Sequence, residues 1–231
     1  DGTGCLVATV GFRAIRSRSG ELLPRLSRCF FEQMEKTTYI DSVNEASREA
    51  TMRLYGTIGS RVDGDYFAHE LASLDRDDFD QIHIRMNSPG GNVFQGMSIV
   101  SAILSMNTPV CVHIDGIAAS MAAVVAVAAD RVCMMDFAKM IIHDPYFSGA
   151  NEKTMSPKQK KALARLTDML RQILSRRGQD ETTMAKLMRE ETWFSAEEAQ
   201  ATGLCDEITS SARNEFMNLN PLQLVAAVDA E

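Results

Sequence analysis

Ser120 stands in Gly116-Ile117-Ala118-Ala119-Ser120-Met121-Ala122-Ala123, a small-residue turn feeding an apolar helix, and Asn87-Ser88-Pro89-Gly90-Gly91 lies upstream, with Gly91 29 residues before that serine. A hydroxyl at a helix N-terminus meets unpartnered N–H groups and the positive end of the helix dipole, both of which favour negative charge. The glycine loop offers a second backbone N–H donor. A hydroxyl nucleophile beside two such donors, one of them the N–H of Met121, is what acyl transfer by a serine requires. Ala118, Ala119, Ala122 and Ala123 leave the approach to that hydroxyl uncrowded.

A serine hydroxyl also needs a base, so the chain must supply a histidine. There are four candidates. His69 falls on the polar side of an amphipathic helix, and His83 and His113 fall inside strands, where a satisfied, half-buried ring is the usual state. His143 alone ends an apolar run at a strand–loop junction, next to Asp144-Pro145. The group that orients its imidazole is Asp144, Glu190 or Glu191 on these grounds, with adjacent Asp144 the least convenient because it must fold back onto its own neighbour.

The elements that must position these residues follow from periodicity. Thr51 to Tyr55 alternates like a strand, Tyr66, Phe67, Leu71 and Leu74 recur at helical spacing, and Gln81 to Met86 is a second strand. Val93, Met97, Val100 and Leu104 predict the buried face of a helix. Val110 to Ile114, rich in β-branched residues, is a third strand, followed directly by the serine helix. Strand and helix alternate, which predicts an α/β fold with a mainly parallel sheet whose functional groups gather beyond the carboxyl ends of the strands. A strand pair, Arg131 to Met135 and Lys139 to Ile142, delivers His143 to that edge if its second member runs with the others. Ser156, Pro157 and Gln159 form the capping-box start of a long amphipathic helix with an apolar stripe from Leu163 to Leu174, stopping near Gly178. Ser195-Ala196-Glu197-Glu198 is a second capping box, with Phe194 as its hydrophobic staple, and Cys205 to Ile208 is a short last strand. Glu190 and Glu191 then lie in the turn before that second box.

At 231 residues, 45% hydrophobic and 24% charged, the chain reads as one ordinary globular core, and its net charge of −7 argues against nucleic acid as the main partner. No apolar run approaches the roughly 20 residues of a membrane helix, and the stretch from Cys5 to Phe12 lacks the basic region of a signal peptide. The five cysteines are odd in number and show no C-x-x-C spacing, which fits a reducing cytoplasm. His69-Glu70 has no second histidine for a zinc H-E-x-x-H helix, and Asp75, Asp77, Asp78 and Asp80 lack the glycine and twelfth-position glutamate of a calcium loop. No P-loop or dinucleotide fingerprint occurs, so energy-driven unfolding of a substrate needs a separate ATPase. The chemistry requires no metal and no organic cofactor. Residues 1–48, rich in arginine, read as an N-terminal extension or arm, 49–210 as the catalytic domain and 211–231 as a tail with a small apolar patch.

From about Thr51 to Ile208 the sequence resembles the proteolytic subunit of the Clp proteases, most of all the shorter relatives of phage head maturation and prophages. The resemblance rests on Asn87 to Gly91, on Gly116 to Ala122, on Met140-Ile141-Ile142-His143, and on Trp193 to Ala199 followed by Gly203-Leu204, in that order. It implies the Clp-protease/crotonase (ClpP-like) fold of repeated ββα units and a serine endopeptidase acting on protein or peptide substrates. It implies Ser120 as nucleophile, His143 as base and the N–H groups of Gly91 and Met121 as the oxyanion hole. The acid position, usually aspartate in the family, is matched here by Glu191, with Glu190 as its substitute. The resemblance further implies a homo-oligomer, arranged as rings, and a Clp-type ATPase as partner. Two departures bear on assembly: Asp144 to Asn151 lacks the family's glycine-rich strand after the histidine, which counts against stacked rings, and residues 1–48 do not match the family's axial loops, which counts against docking of the ATPase. The competing readings are a catalytically weak or inactive Clp-like subunit, for which Glu191 is the foothold, and a crotonase-type acyl-CoA enzyme, which has no need of the Ser/His pair.

Overall fold

The computed structural model describes residues 38–76, 79–147, 154–177 and 179–210. Gly178 and the arginine-rich and apolar segments read from 1–37 and 211–231 lie outside the described residues. One sheet organises the rest, with β1 (Ile40–Asn44), β2 (Glu49–Tyr55), β3 (Gln81–Ser88), β4 (Val110–Ala119), β5 (Arg131–Met135) and β8 (Glu207–Thr209) hydrogen-bonded in that order. β1 runs antiparallel to β2, and every later step of this path is parallel. β6 (Lys139–Ile142) pairs parallel with the far half of β4, and β7 (Thr192–Phe194) closes that corner antiparallel to β6. This is the ββα architecture with a mainly parallel sheet. Ile40–Asn44, within the segment 1–48 read as an extension, thus contributes an edge strand to it.

Alternation decides which face of each strand is buried. Ala50, Met52 and Leu54 on β2 and Ile82, Ile84 and Met86 on β3 are fully buried while their neighbours are not. Helix α1 (Gly64–Arg76) covers them with Phe67, Leu71 and Leu74, and α2 (Val93–Ser105) packs beside it. The buried face of α2 is Gly96, Ile99, Val100 and Ile103; of the predicted Val93, Met97, Val100 and Leu104, Val100 is fully buried, Val93 and Met97 are half-buried against the core, and Leu104 is 42% exposed. The cause is Gly96, where an added Cβ would lie 2.2 Å from Cγ of Met121: the helix turns a glycine, which carries no apolar signal, toward the serine helix.

Two further differences concern the serine segment and the C-terminal third. Gly116 to Ala119, predicted as a turn, continues β4 as a strand and pairs with β6, because small residues allow the close parallel approach. Helix α3 (Met121–Val127) is buried along its whole length. Its C-terminal end is held by Arg177, which donates to the carbonyls of Val127 (3.2 Å) and Ala129 (2.5 Å) and pairs with Asp206 at 2.6 Å. Arg177 follows α4 (Pro157–Leu174), whose predicted Ser156/Gln159 capping box is present. Charged donors on carbonyls that the helix leaves unpaired are worth about 1.5–3 kcal/mol each. Arg177→Ala is therefore expected to lower stability by about 2–3 kcal/mol, read from the urea midpoint at unchanged slope. The described chain also contains α5 (Glu181–Arg189) and α6 (Ala196–Ala201), and none of its helices is long and apolar enough to cross a membrane.

Candidate active site

The sheet register brings the predicted residues to one edge. Ala118 lies opposite Ser88 across β3 and β4, so the loop after β3 and the turn after β4 emerge side by side. Ala119 lies opposite Ile141 across β4 and β6, so Ser120 and His143 leave neighbouring parallel strands at the same end. The serine turn is tied to the histidine strand by the Ser120 N–H, which donates to the Ile141 carbonyl at 2.8 Å. β6 thus runs with the others, as the placement of His143 requires.

Ser120 caps α3 with φ +56° and ψ −124°, a backbone conformation unfavourable for any residue with a side chain. Its hydroxyl makes no capping hydrogen bond to the helix. Among the described residues, no backbone carbonyl accepts the N–H of Gly91, and Met121 occupies the first helical position, whose N–H has no intrahelical acceptor. The neighbouring groups of the loop are engaged: Gly90 accepts from the Ile58 N–H at 2.8 Å, and Asn92 donates to the Ile58 carbonyl at 2.9 Å. Asn87 and Ser88 shape the approach, since Asn87 Oδ1 accepts from the Ile117 N–H and buried Ser88 bridges the Gly56 carbonyl and the Gly90 N–H. Sequence reasoning gave these two residues no task.

The glycines are required by contact as well as conformation. A Cβ on Gly90 would lie 2.4 Å from the Ala119 carbonyl oxygen and 2.8 Å from Cβ of Ser120. At Gly91, φ is +142° and a Cβ would lie 2.1 Å from the Ile58 carbonyl oxygen. Gly91→Ala must push the loop off Ile58 and carry its N–H with it. Removing one oxyanion donor costs about 10²–10³ in kcat, and that loss is expected for Gly91→Ala in steady-state peptide hydrolysis, on protein shown folded by circular dichroism.

His143 is half-buried, and its Nδ1 donates to the carbonyl of Asp144 at 2.7 Å. A carbonyl only accepts, so Nδ1 carries the proton and Nε2 keeps its lone pair, the tautomer a general base needs. Tyr146 stacks on the ring, with centroids 5.8 Å apart. The three acid candidates divide clearly. Glu190 closes α5 as its C-cap and faces Lys186 at 3.9 Å. The Asp144 carboxyl is pushed up by burial, against the lowering influence of Arg189. Glu191 has φ +49° and precedes β7, whose register places Ile142 opposite Thr192. Continued by one antiparallel step, that register sets Glu191 against His143, and both border a hollow of about 380 Å³ with Asp144 and Arg189. Sequence reasoning missed α5 and β7, although Glu190 and Glu191 do lie in a turn, the one that joins these two elements. The signal was available in Asp180, whose carboxylate accepts from the N–H groups of Thr182 and Thr183 at the start of α5.

Ser120, His143, Gly91 and Met121 all line one cavity of about 620 Å³. Its walls are mostly apolar, with Val124 from the serine helix, Leu163 and Leu166 from α4, and Met188 from α5. Phe94 and Tyr146, about three-quarters exposed, stand at its rim. The other histidines lie elsewhere: His69 stacks on Tyr66, and His83 Nδ1 and His113 Nε2 are 2.9 Å apart across β3 and β4.

The comparisons with known proteins bear on the family and the fold. The Clp protease family profile matches residues 33–212. The ATP-dependent Clp protease proteolytic subunit of Pleurastrum terricola is 26% identical over 179 residues, covering 76% of this chain and 91% of the relative. That of Leuconostoc citreum is 31% identical over 137 residues, 57% of this chain and 68% of the relative. Among solved structures, a ClpP1 mutant from Listeria monocytogenes superposes with a TM-score of 0.62 at 25% identity, over 71% of this chain and 92% of that one. The family match over residues 33–212, which spans both Ser120 and His143, establishes with the shared fold that this chain belongs to the Clp protease family of serine peptidases.

Proposed function

We propose that the chain cleaves protein or peptide substrates as an endopeptidase through a Ser120/His143/Glu191 triad, with the N–H groups of Gly91 and Met121 as the oxyanion hole. His143 Nε2 takes the proton of Ser120 as its oxygen attacks the scissile carbonyl, and returns it to the leaving amine. Water then hydrolyses the acyl-enzyme with His143 again as base. Glu191 holds the imidazolium in place. The observation that carries the reading is the positive-φ serine at the β4–α3 junction, tied by its own N–H to the strand that ends in His143.

The same reading includes a homo-oligomeric ring, a cytoplasmic setting, an origin in a phage or prophage, and an ATP-driven unfolding partner, the last supported by the relatives' being named ATP-dependent. The exposed side chain of Trp193 on β7, 59% accessible, suits a contact between copies. The test is hydrolysis of a fluorogenic peptide together with mass measurement of the same sample in solution. Turnover by a multimer is expected. A strictly monomeric protein contradicts the ring, and an inert multimer contradicts the peptidase.

A further inference from the structure

The sheet carries a second cluster of chemistry-bearing side chains. His83 on β3 lies opposite Cys111 on β4, and His113, two residues further along β4 and so on the same face, lies opposite Cys133 on β5. Four residues of metal-ligand type thus form a stagger across three adjacent parallel strands, with His83 and Cys133 at its far ends. The face is the one turned away from Ile82, Ile84, Val112 and Ile114, which are fully buried on the other side. Both thiols are 5% exposed and both imidazoles half-buried.

The spacing of three of them, His83, Cys111 and His113, suits a tetrahedral ion, and Cys133 lies just outside that set beside Cys111. Ligand atoms of His83, Cys111 and His113 all lie within 4.8 Å of one another, His83 Nδ1 and His113 Nε2 are 2.9 Å apart, and the sulfurs of Cys111 and Cys133 are 3.7 Å apart. Zinc bonds of about 2.0–2.1 Å to nitrogen and about 2.3 Å to sulfur set tetrahedral edges of roughly 3.3 Å between nitrogens and 3.8 Å between sulfurs. The sulfur edge is already met and the nitrogens need only part slightly, while the Cys133 side chain has to turn toward the rings to close the fourth position. Mixed imidazole and thiolate donors select zinc over the hard cations magnesium and calcium.

We infer that His83, Cys111 and His113, completed by Cys133, form a structural zinc site that cross-links β3, β4 and β5. The surroundings support it. Arg85 and Arg131, the nearest cations, are each neutralised, by Asp115 and Glu207 respectively. On binding, the proton shared between the two rings moves to the far nitrogen of its own ring. The thiol protons leave to solvent as the sulfur–zinc bonds form. Local spacing gives no sign of such a site, because three strands separated by long crossovers supply it. It lies seven residues before Ser120 on β4, roughly 20 Å along the strand, and is independent of the peptidase chemistry.

The test uses the full chain, stripped by a chelator and titrated with Zn²⁺ alone against a chromophoric indicator, with Co²⁺ as the spectroscopic substitute. One tightly bound equivalent is expected, along with the thiolate-to-cobalt charge-transfer band and strong visible absorption of a tetrahedral centre. Cys111→Ser and, separately, His83→Gln should each weaken Zn²⁺ binding by about 100-fold or more, whereas Cys205→Ser should leave it unchanged. The cobalt spectrum of the unaltered protein decides the matter even where Cys111→Ser fails to fold. Absence of that band, or Zn²⁺ affinity unmoved by His83→Gln in folded protein, overturns the site.

Discussion

Ser120→Ala is expected to lower kcat for a fluorogenic peptide by about 10⁶-fold with KM little changed, and His143→Ala to do the same. The double variant should be no slower than either single one. A hydroxyl and its base act as a unit, so removing either leaves only binding and the oxyanion donors, which supply a residual catalysis of about 10³–10⁴ over water. The structural basis for such coupling is direct. One hydrogen bond, from the Ser120 N–H to the Ile141 carbonyl, links the two residues through the ends of paired strands. Losses that add in the double variant would show that the two residues contribute separately. The rival reading of a non-catalytic subunit predicts no measurable turnover to lose.

Glu191→Gln is expected to cost about 10⁴ in kcat, while Glu190→Gln stays within about twofold of the unaltered enzyme. Glutamine keeps the shape but removes the charge that stabilises the imidazolium. The β6–β7 register, not proximity in sequence, favours Glu191: the pairing ends with Ile142 opposite Thr192, one residue short of His143 and Glu191, while Glu190 faces Lys186 on the surface of α5. In the structure, His143 Nδ1 donates to the Asp144 carbonyl. That bond orients the ring but brings no charge. A small effect of Glu191→Gln would assign the orienting task to this carbonyl and remove Glu191 from the triad.

The parts of the site legible in the sequence are those with a local signal at the carboxyl end of a strand. The glycine loop, the serine flanked by alanines, and the histidine ending Met140-Ile141-Ile142 each announce themselves within a few residues. What depends on pairing between distant segments was hidden. The choice between Glu190 and Glu191 rests on the antiparallel register of β7, a three-residue strand too short to show alternation. Gly116 to Ala119 resembles a turn by composition, and its pairing with β6 and, at Ala118, with β3 makes it a strand. The orientation of α2 is set by the contact of Gly96 with Met121, and a hydrophobic pattern does not register a glycine. His83 and His113 read separately as ordinary strand histidines, and their juxtaposition with two buried thiols exists only in the folded sheet.

The central claim is that Ser120 is the residue acylated during the reaction. A fluorophosphonate carries an electrophilic phosphorus that reacts with an activated serine and stays attached, so peptide mapping by mass spectrometry after labelling reads the nucleophile directly. The account predicts a single adduct, on the peptide containing Ser120, that disappears in Ser120→Ala and is strongly slowed in His143→Ala. An adduct on any other serine, or labelling that survives Ser120→Ala at the same rate, would contradict it.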